Sequence, residues 1–135
     1  MKILRATARA TKSAPASNFT GTVYQDEVVT GVLPSRLRAS VVSFTPGART
    51  YWHTHPVGQT LYCLSGVGRV QREGEPVQAL NPGDTVQIPP GVKHWHGAAP
   101  DRLFAHLAIS ENGPNGEGTA WLEAVAEADY TATPA

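Results

Sequence analysis

Cysteine is almost absent. Cys63 is the only one in 135 residues, so the chain can form neither an internal disulfide nor a cysteine-rich zinc site. An excess of charge is missing too: eleven basic side chains balance eleven acidic ones. A neutral chain without a basic patch is a poor partner for nucleic acid or an anionic membrane. No apolar run is long enough to span a bilayer. Acidic residues are lacking before Asp26, where Lys2, Arg5, Arg9 and Lys12 lie among alanines and serines. This composition resembles an organelle transit peptide, but without a long amphipathic face, and an N-terminal arm over about residues 1–18 is the favoured expectation. With no apolar signal segment, a cytoplasmic protein is expected, in keeping with one unpaired thiol. Histidine is confined in the same way. All five lie between His53 and His106.

Turn-forming residues, by contrast, are abundant. Thirteen glycines and eleven prolines cut the chain into short pieces. Segments rich in β-branched and aromatic residues at 19–24, 38–44, 49–55, 60–64, 68–72, 77–80, 85–88, 93–97 and 103–109 read as strands. So many short, evenly punctuated strands predict an all-β antiparallel sandwich or barrel. Residues 120–129 are rich in helix formers and free of glycine and proline, which predicts a C-terminal helix with Trp121, Leu122 and Val125 on one side. No repeat or linker marks a second domain, so one domain over 1–135 is expected.

His53 and His55 are two apart, and on a strand their imidazoles share a face. Two neighbouring imidazoles turned into a barrel would begin a transition-metal site, whereas turned outward they would be half-exposed surface residues. His94 and His96 form a second such pair after the Pro89-Pro90-Gly91 turn. His106 sits in mid-strand between Phe104 and Ala108, where a lone histidine is usually a hydrogen-bonded core residue.

Spacing adds specificity. Gly47, five residues, His53-Thr54-His55, three residues, Gln59, six residues and Gly66 form one segment. Gly83, five residues, Pro89, one residue, Gly91, two residues and His94 form another. Segments 47–66 and 83–98 closely resemble the two motifs of the cupin superfamily, which implies a jelly-roll β-barrel. Carried over position by position, the resemblance implies His53, His55, Gln59 and His94 as metal ligands and gives His96 no ligand role. The family usually has a glutamate where Gln59 stands. An amide is a neutral donor, so the dication keeps its full charge, and a proton acceptor must come from elsewhere, with His106 the natural candidate.

From Phe19 to Tyr130 the chain is similar to a branch of small bacterial cupins that includes manganese-dependent hydroxynitrile lyases, enzymes that cleave and form (R)-cyanohydrins such as mandelonitrile. This implies a metal-dependent carbon–carbon lyase with one divalent ion, Mn²⁺ first and Fe, Zn, Ni or Co as alternatives, and His106 as the catalytic imidazole. Strand parity offers Ser40, Val42, Phe44, Phe104, Ala108 and Ser110 as pocket residues, together with His96 and either of Trp52 and Trp95. The lyases carry alanine and glutamine where Ser40 and Ser110 stand. The same histidines also suit an oxygen-dependent cupin dioxygenase, or a cupin that binds a metal or small molecule without catalysis. A small-molecule partner and a homodimer formed through N-terminal strands are the further expectations, with neither nucleic acid nor membrane as a partner.

Overall fold

The computed structural model describes residues 1–135. Its strands in chain order are β1 (Lys12–Ser13), β2 (Phe19–Thr20), β3 (Val23–Thr30), β4 (Leu37–Phe44), β5 (Arg49–Thr50), β6 (His53–Thr54), β7 (Gln59–Gly66), β8 (Gly68–Arg72), β9 (Gln78–Leu80), β10 (Thr85–Ile88), β11 (His94–Ala98), β12 (Phe104–Glu111) and β13 (Ala120–Trp121). All ladders are antiparallel. The first sheet has the order β1-β3-β4-β12-β7-β10. In the second, β5 and β6 lie end to end along one side of β11, and β8 followed by β9 lies along its other side. Strands β2 and β13 then cover β5 and β6 respectively. Two sheets with inward alternation form the expected cupin-type barrel.

Local chemistry explains where the strands break. The expected strand over 19–24 divides because Gly21 adopts a positive φ of 79°. A Cβ there would stand 2.9 Å from the Ala48 Cβ, so only glycine fits so close to the opposing chain. The expected strand over 49–55 divides because its edge serves two partners. Tyr51 N–H donates to the Asn18 carbonyl, and Trp52 N–H donates to the Glu123 carbonyl.

The C-terminal expectation requires correction. A short C-terminal helix is present, but it does not extend over 120–129. Ala120 and Trp121 pair with Thr54 and His53, and the helix α1 is a single turn, Glu127–Tyr130. Helix propensity loses here to ladder bonding and burial, because Trp121 closes over Phe19 and His53 at ring distances of 5.3 and 4.8 Å. Of the expected stripe, Val125 is buried and Leu122 is exposed. The arm over 1–18 also holds a short 3₁₀ turn, Ala6–Ala8, and its Lys12–Ser13 strand extends the first sheet.

Two apolar clusters result. One lies between the sheets around Phe19, Phe44, Cys63, Leu80 and Phe104. The other joins Trp52, Val77, Trp95, Val125 and Tyr130 on the outside of the second sheet. The C-terminal segment therefore covers the outer face of β11, which explains why all five of its residues are buried.

Candidate metal centre

Strand β6 turns His53 inward and β11 does the same for His94 and His96, and register pairs His94 with His53. A tight turn then carries the chain from His55 to Gln59. Gly58 closes it with a φ of 86°, donating its N–H to the His55 carbonyl, and a Cβ there would stand 2.6 Å from the Ile88 carbonyl oxygen. This turn brings Gln59, the first residue of β7 in the first sheet, against histidines of the second.

The ring nitrogens show how these residues suit a cation. His53 Nδ1–H donates to the Tyr51 carbonyl and His94 Nδ1–H to the Val92 carbonyl, each at 2.9 Å. Both bonds place the proton on Nδ1 and leave an Nε2 lone pair, as second partners of ligating histidines commonly do. The His94 Nε2 lone pair faces Gln59 Oε1, also a lone-pair donor, at 3.1 Å. The Gln59 amide also lies against His53 and His55. The His55 Nε2 is buried without a hydrogen-bond partner, and its Nδ1 is 3.4 Å from Thr119 Oγ1. Converging lone pairs with no proton between them fit a divalent ion. The donor set of imidazoles and one amide oxygen suits Mn, Fe, Co, Ni or Zn.

His96 belongs to the cluster as well. Ring nitrogens of His53, His94 and His96 lie within 4.8 Å of one another. Unlike the others, His96 uses Nδ1 to bond another imidazole, His106 Nε2, at 2.9 Å. Its backbone N–H is held by Thr50 Oγ1 at 3.2 Å. Burial keeps all five imidazoles neutral. It lowers His55, His94 and His106 to about 4, and His53 and His96 well below the ordinary value.

A cavity of about 130 Å³ opens beside this cluster, close to the roughly 150 Å³ that accommodates a benzene ring. Ser40, Val42, Ala108, Ser110 and His96 line it, as do His53, His55 and Gln59. Phe44 and Phe104 do not. They stack on each other at 6.1 Å beneath His106, as its floor. His106, fully buried, is also off the cavity wall, and bonds His96, which is on it. Trp52 and Trp95 lie on the outer face of the second sheet. Cys63 is buried, and desolvation followed by the Asp84 charge raises its thiol to about 11, so it remains a protonated core residue.

Arg38, Gln25, Thr50, Thr119 and Trp121 also line the cavity and were not foreseen. Arg38 was within reach of the sequence, because the parity that selects Ser40, Val42 and Phe44 extends two residues back. Thr119 and Trp121 carried no such signal, since they depend on a strand that local propensity opposes.

A two-sheet barrel with inward-facing histidines on neighbouring strands defines the cupin class. Residues 40–108 match the Cupin_2 family, the cupin domain, and the chain belongs to it. More particularly, it is 46% identical over 130 residues to an (R)-mandelonitrile lyase of Granulicella tundricola, covering 96% of this chain and 98% of that protein. It also superposes on a cupin-like protein from Thermotoga maritima with a TM-score of 0.83 and 41% identity, covering 87% of this chain and 89% of the other. The fold extends further, to the polyketide cyclase RemF of Streptomyces resistomycificus, with a TM-score of 0.73 at 17% identity, over 96% and 90% of the two chains.

Proposed function

We propose that the protein is a metal-dependent hydroxynitrile lyase that cleaves or forms (R)-cyanohydrins, with His53, His55, Gln59 and His94 holding one divalent ion, Mn²⁺ first. The observation that carries this reading is the set of unprotonated Nε2 atoms gathered at a neutral amide beside a cavity of aromatic size. Identity of 46% to a mandelonitrile lyase supports it. A bound dication supplies Lewis acidity to a hydroxyl oxygen, undiminished by any ligand carboxylate.

The chain's own residues supply the rest. Cleavage requires a base for the cyanohydrin hydroxyl and an acid for the departing cyanide. His96 lines the cavity with its Nε2 buried and free of any hydrogen-bond partner, while its Nδ1–H donates to His106 Nε2. In that tautomer His96 accepts the hydroxyl proton. The carbon–carbon bond then breaks with its electron pair leaving on cyanide, and His96 returns the proton, giving aldehyde and hydrogen cyanide. His106, assigned above as the base, acts from behind His96 by fixing the ring and its tautomer. Val42, Ala108 and Trp121 provide apolar wall for the aldehyde substituent.

Anaerobic incubation of metal-loaded protein with racemic mandelonitrile tests the reading. Benzaldehyde and cyanide should be released, lost on chelation and restored by metal. No turnover of any of several cyanohydrins by fully loaded protein would refute it, and strict dependence on oxygen would point to dioxygenase chemistry instead.

A further inference from the structure

The inner face of the first sheet is graded from floor to rim. Phe44 pairs with Phe104, Val42 with His106, Ser40 with Ala108 and Arg38 with Ser110, and Ser110 pairs in turn with Gln59. Arg38, Ser110 and Gln59 therefore share one cross-strand row, in which Arg38 stands two strand spacings, on the order of 10 Å, from the amide of the metal site. Arg38 lines both the cavity and the groove outside its mouth.

Three observations converge on this residue. Histidines aside, Arg38 is the one ionisable side chain on the cavity wall, which carries neither aspartate nor glutamate. The guanidinium makes no ion pair and no hydrogen bond within the chain. Glu111, the acid nearest in register, lines the outer groove but not the cavity and makes no ion pair with Arg38, and Glu27 accepts the Thr30 hydroxyl. Only five of the fifteen lining residues are apolar, whereas a site for a wholly apolar molecule would be lined mostly by apolar groups.

We propose that Arg38, with Ser40 and Ser110, forms a carboxylate-binding end of the cavity, and that the substrate is an aldehyde or cyanohydrin with a carboxylate remote from its reacting carbon. The inference rests on the lyase reading for the reacting end of the molecule. A planar guanidinium receives a carboxylate through two parallel N–H bonds, and serine hydroxyls can donate to the remaining lone pairs. A neutral ligand set and an unpaired arginine leave the cavity wall short of negative charge, which such a substrate supplies. The ring fills the cavity, and its carboxylate meets Arg38 at the rim, short of the outer groove that Glu111 lines.

The test compares 4-formylbenzoate with benzaldehyde by calorimetric titration of metal-loaded protein, in wild type and Arg38→Gln. Hydrogen cyanide release from mandelonitrile and 4-carboxymandelonitrile is measured in parallel. In wild type the carboxylate should bind about tenfold tighter or better, as a charge-assisted pair allows. Added salt should weaken that preference, and Arg38→Gln should bring the ratio close to one. Arg38 is exposed, so the substitution leaves the core intact, and a thermal melt verifies it. Equal affinities in wild type would overturn the proposal. So would a preference that survives Arg38→Gln, which would place the carboxylate on the metal. Cyanide release without carboxylate preference removes the Arg38 site alone. Preference without cyanide release from either nitrile removes the lyase reading and leaves the carboxylate site standing.

Discussion

At the scale of single residues, hydrogen bonds divide four of the five histidines into two kinds, with His55 apart, its Nδ1 near Thr119 Oγ1 and its Nε2 without a partner. Those whose Nδ1 is committed to a backbone carbonyl, His53 and His94, are fixed as Nε2 donors. The two bonded to each other, His96 and His106, can relocate a proton. The expected consequences differ. His94→Ala should abolish metal uptake, measured by elemental analysis, and activity with it. His96→Ala and His106→Ala should each lower kcat by about 10²- to 10⁴-fold with metal stoichiometry retained. Metal lost from His96→Ala would move His96 into the ligand set, where its distance to His53 and His94 also allows it. Gly58→Ala should weaken both fold and metal binding. A left-handed alanine costs about 1–2 kcal/mol before any clash with the Ile88 carbonyl, and the combined loss should appear in urea unfolding.

At the scale of elements, legibility followed how local each signal was. Period-two patterning and proline or glycine stops marked most strands, and β8 and β10 have the expected ends. The shared face of His53 and His55 was readable from their spacing, and Gln59 joined them only through the resemblance to the cupin motif. The C-terminal segment was misread because its structure is decided by distant partners. Trp121 lies extended to pair with His53, and Tyr130 buries its ring under Arg49, 4.1 Å from the guanidinium carbon, while donating its hydroxyl to the Ala98 carbonyl at 2.6 Å. Tyr130→Phe should therefore cost about 1–3 kcal/mol, because the buried Ala98 carbonyl loses its donor. Equilibrium unfolding measures this, and an unchanged midpoint would mean that water replaces the hydroxyl. His96 in front of His106 was equally hidden from the sequence, which shows two inward histidines but not the order in which they meet the cavity.

At the scale of the molecule, five neutral buried imidazoles make stability depend on pH. His55, His94 and His106 stand at about 4 in the fold, against an ordinary 6.5, so the unfolded chain binds more protons between those values. Stability is thus fully present above about 6.5 and is lost as pH falls toward 4, by up to about 1.4 kcal/mol per pH unit for each such histidine. The melting temperature of metal-free protein should be level from pH 7 to 8 and fall steeply below 6. A rise on acidification would contradict neutral burial. Assembly is a separate expectation. The short strand β1 leaves an open sheet edge beside exposed Ile3 and Leu4, and we expect two copies to pair there. Light scattering should give twice the chain mass, and removing residues 1–11 should shift it to monomer.

The graded inner face of the first sheet has one further consequence. Changes in its outermost rows, at Arg38, Ser40 or Ser110, leave untouched the rows bearing Val42, His106, Phe44 and Phe104 and the second-sheet histidines His53, His94 and His96, and Gln59, which pairs with Ser110, is the one member of the metal centre that shares the rim. Selectivity and reactivity thereby meet at a single point of the barrel. New substrates could be admitted through Arg38 and Ser40 with the reactive centre inherited unchanged, whereas a change at Ser110 also reaches the neighbour of a ligand.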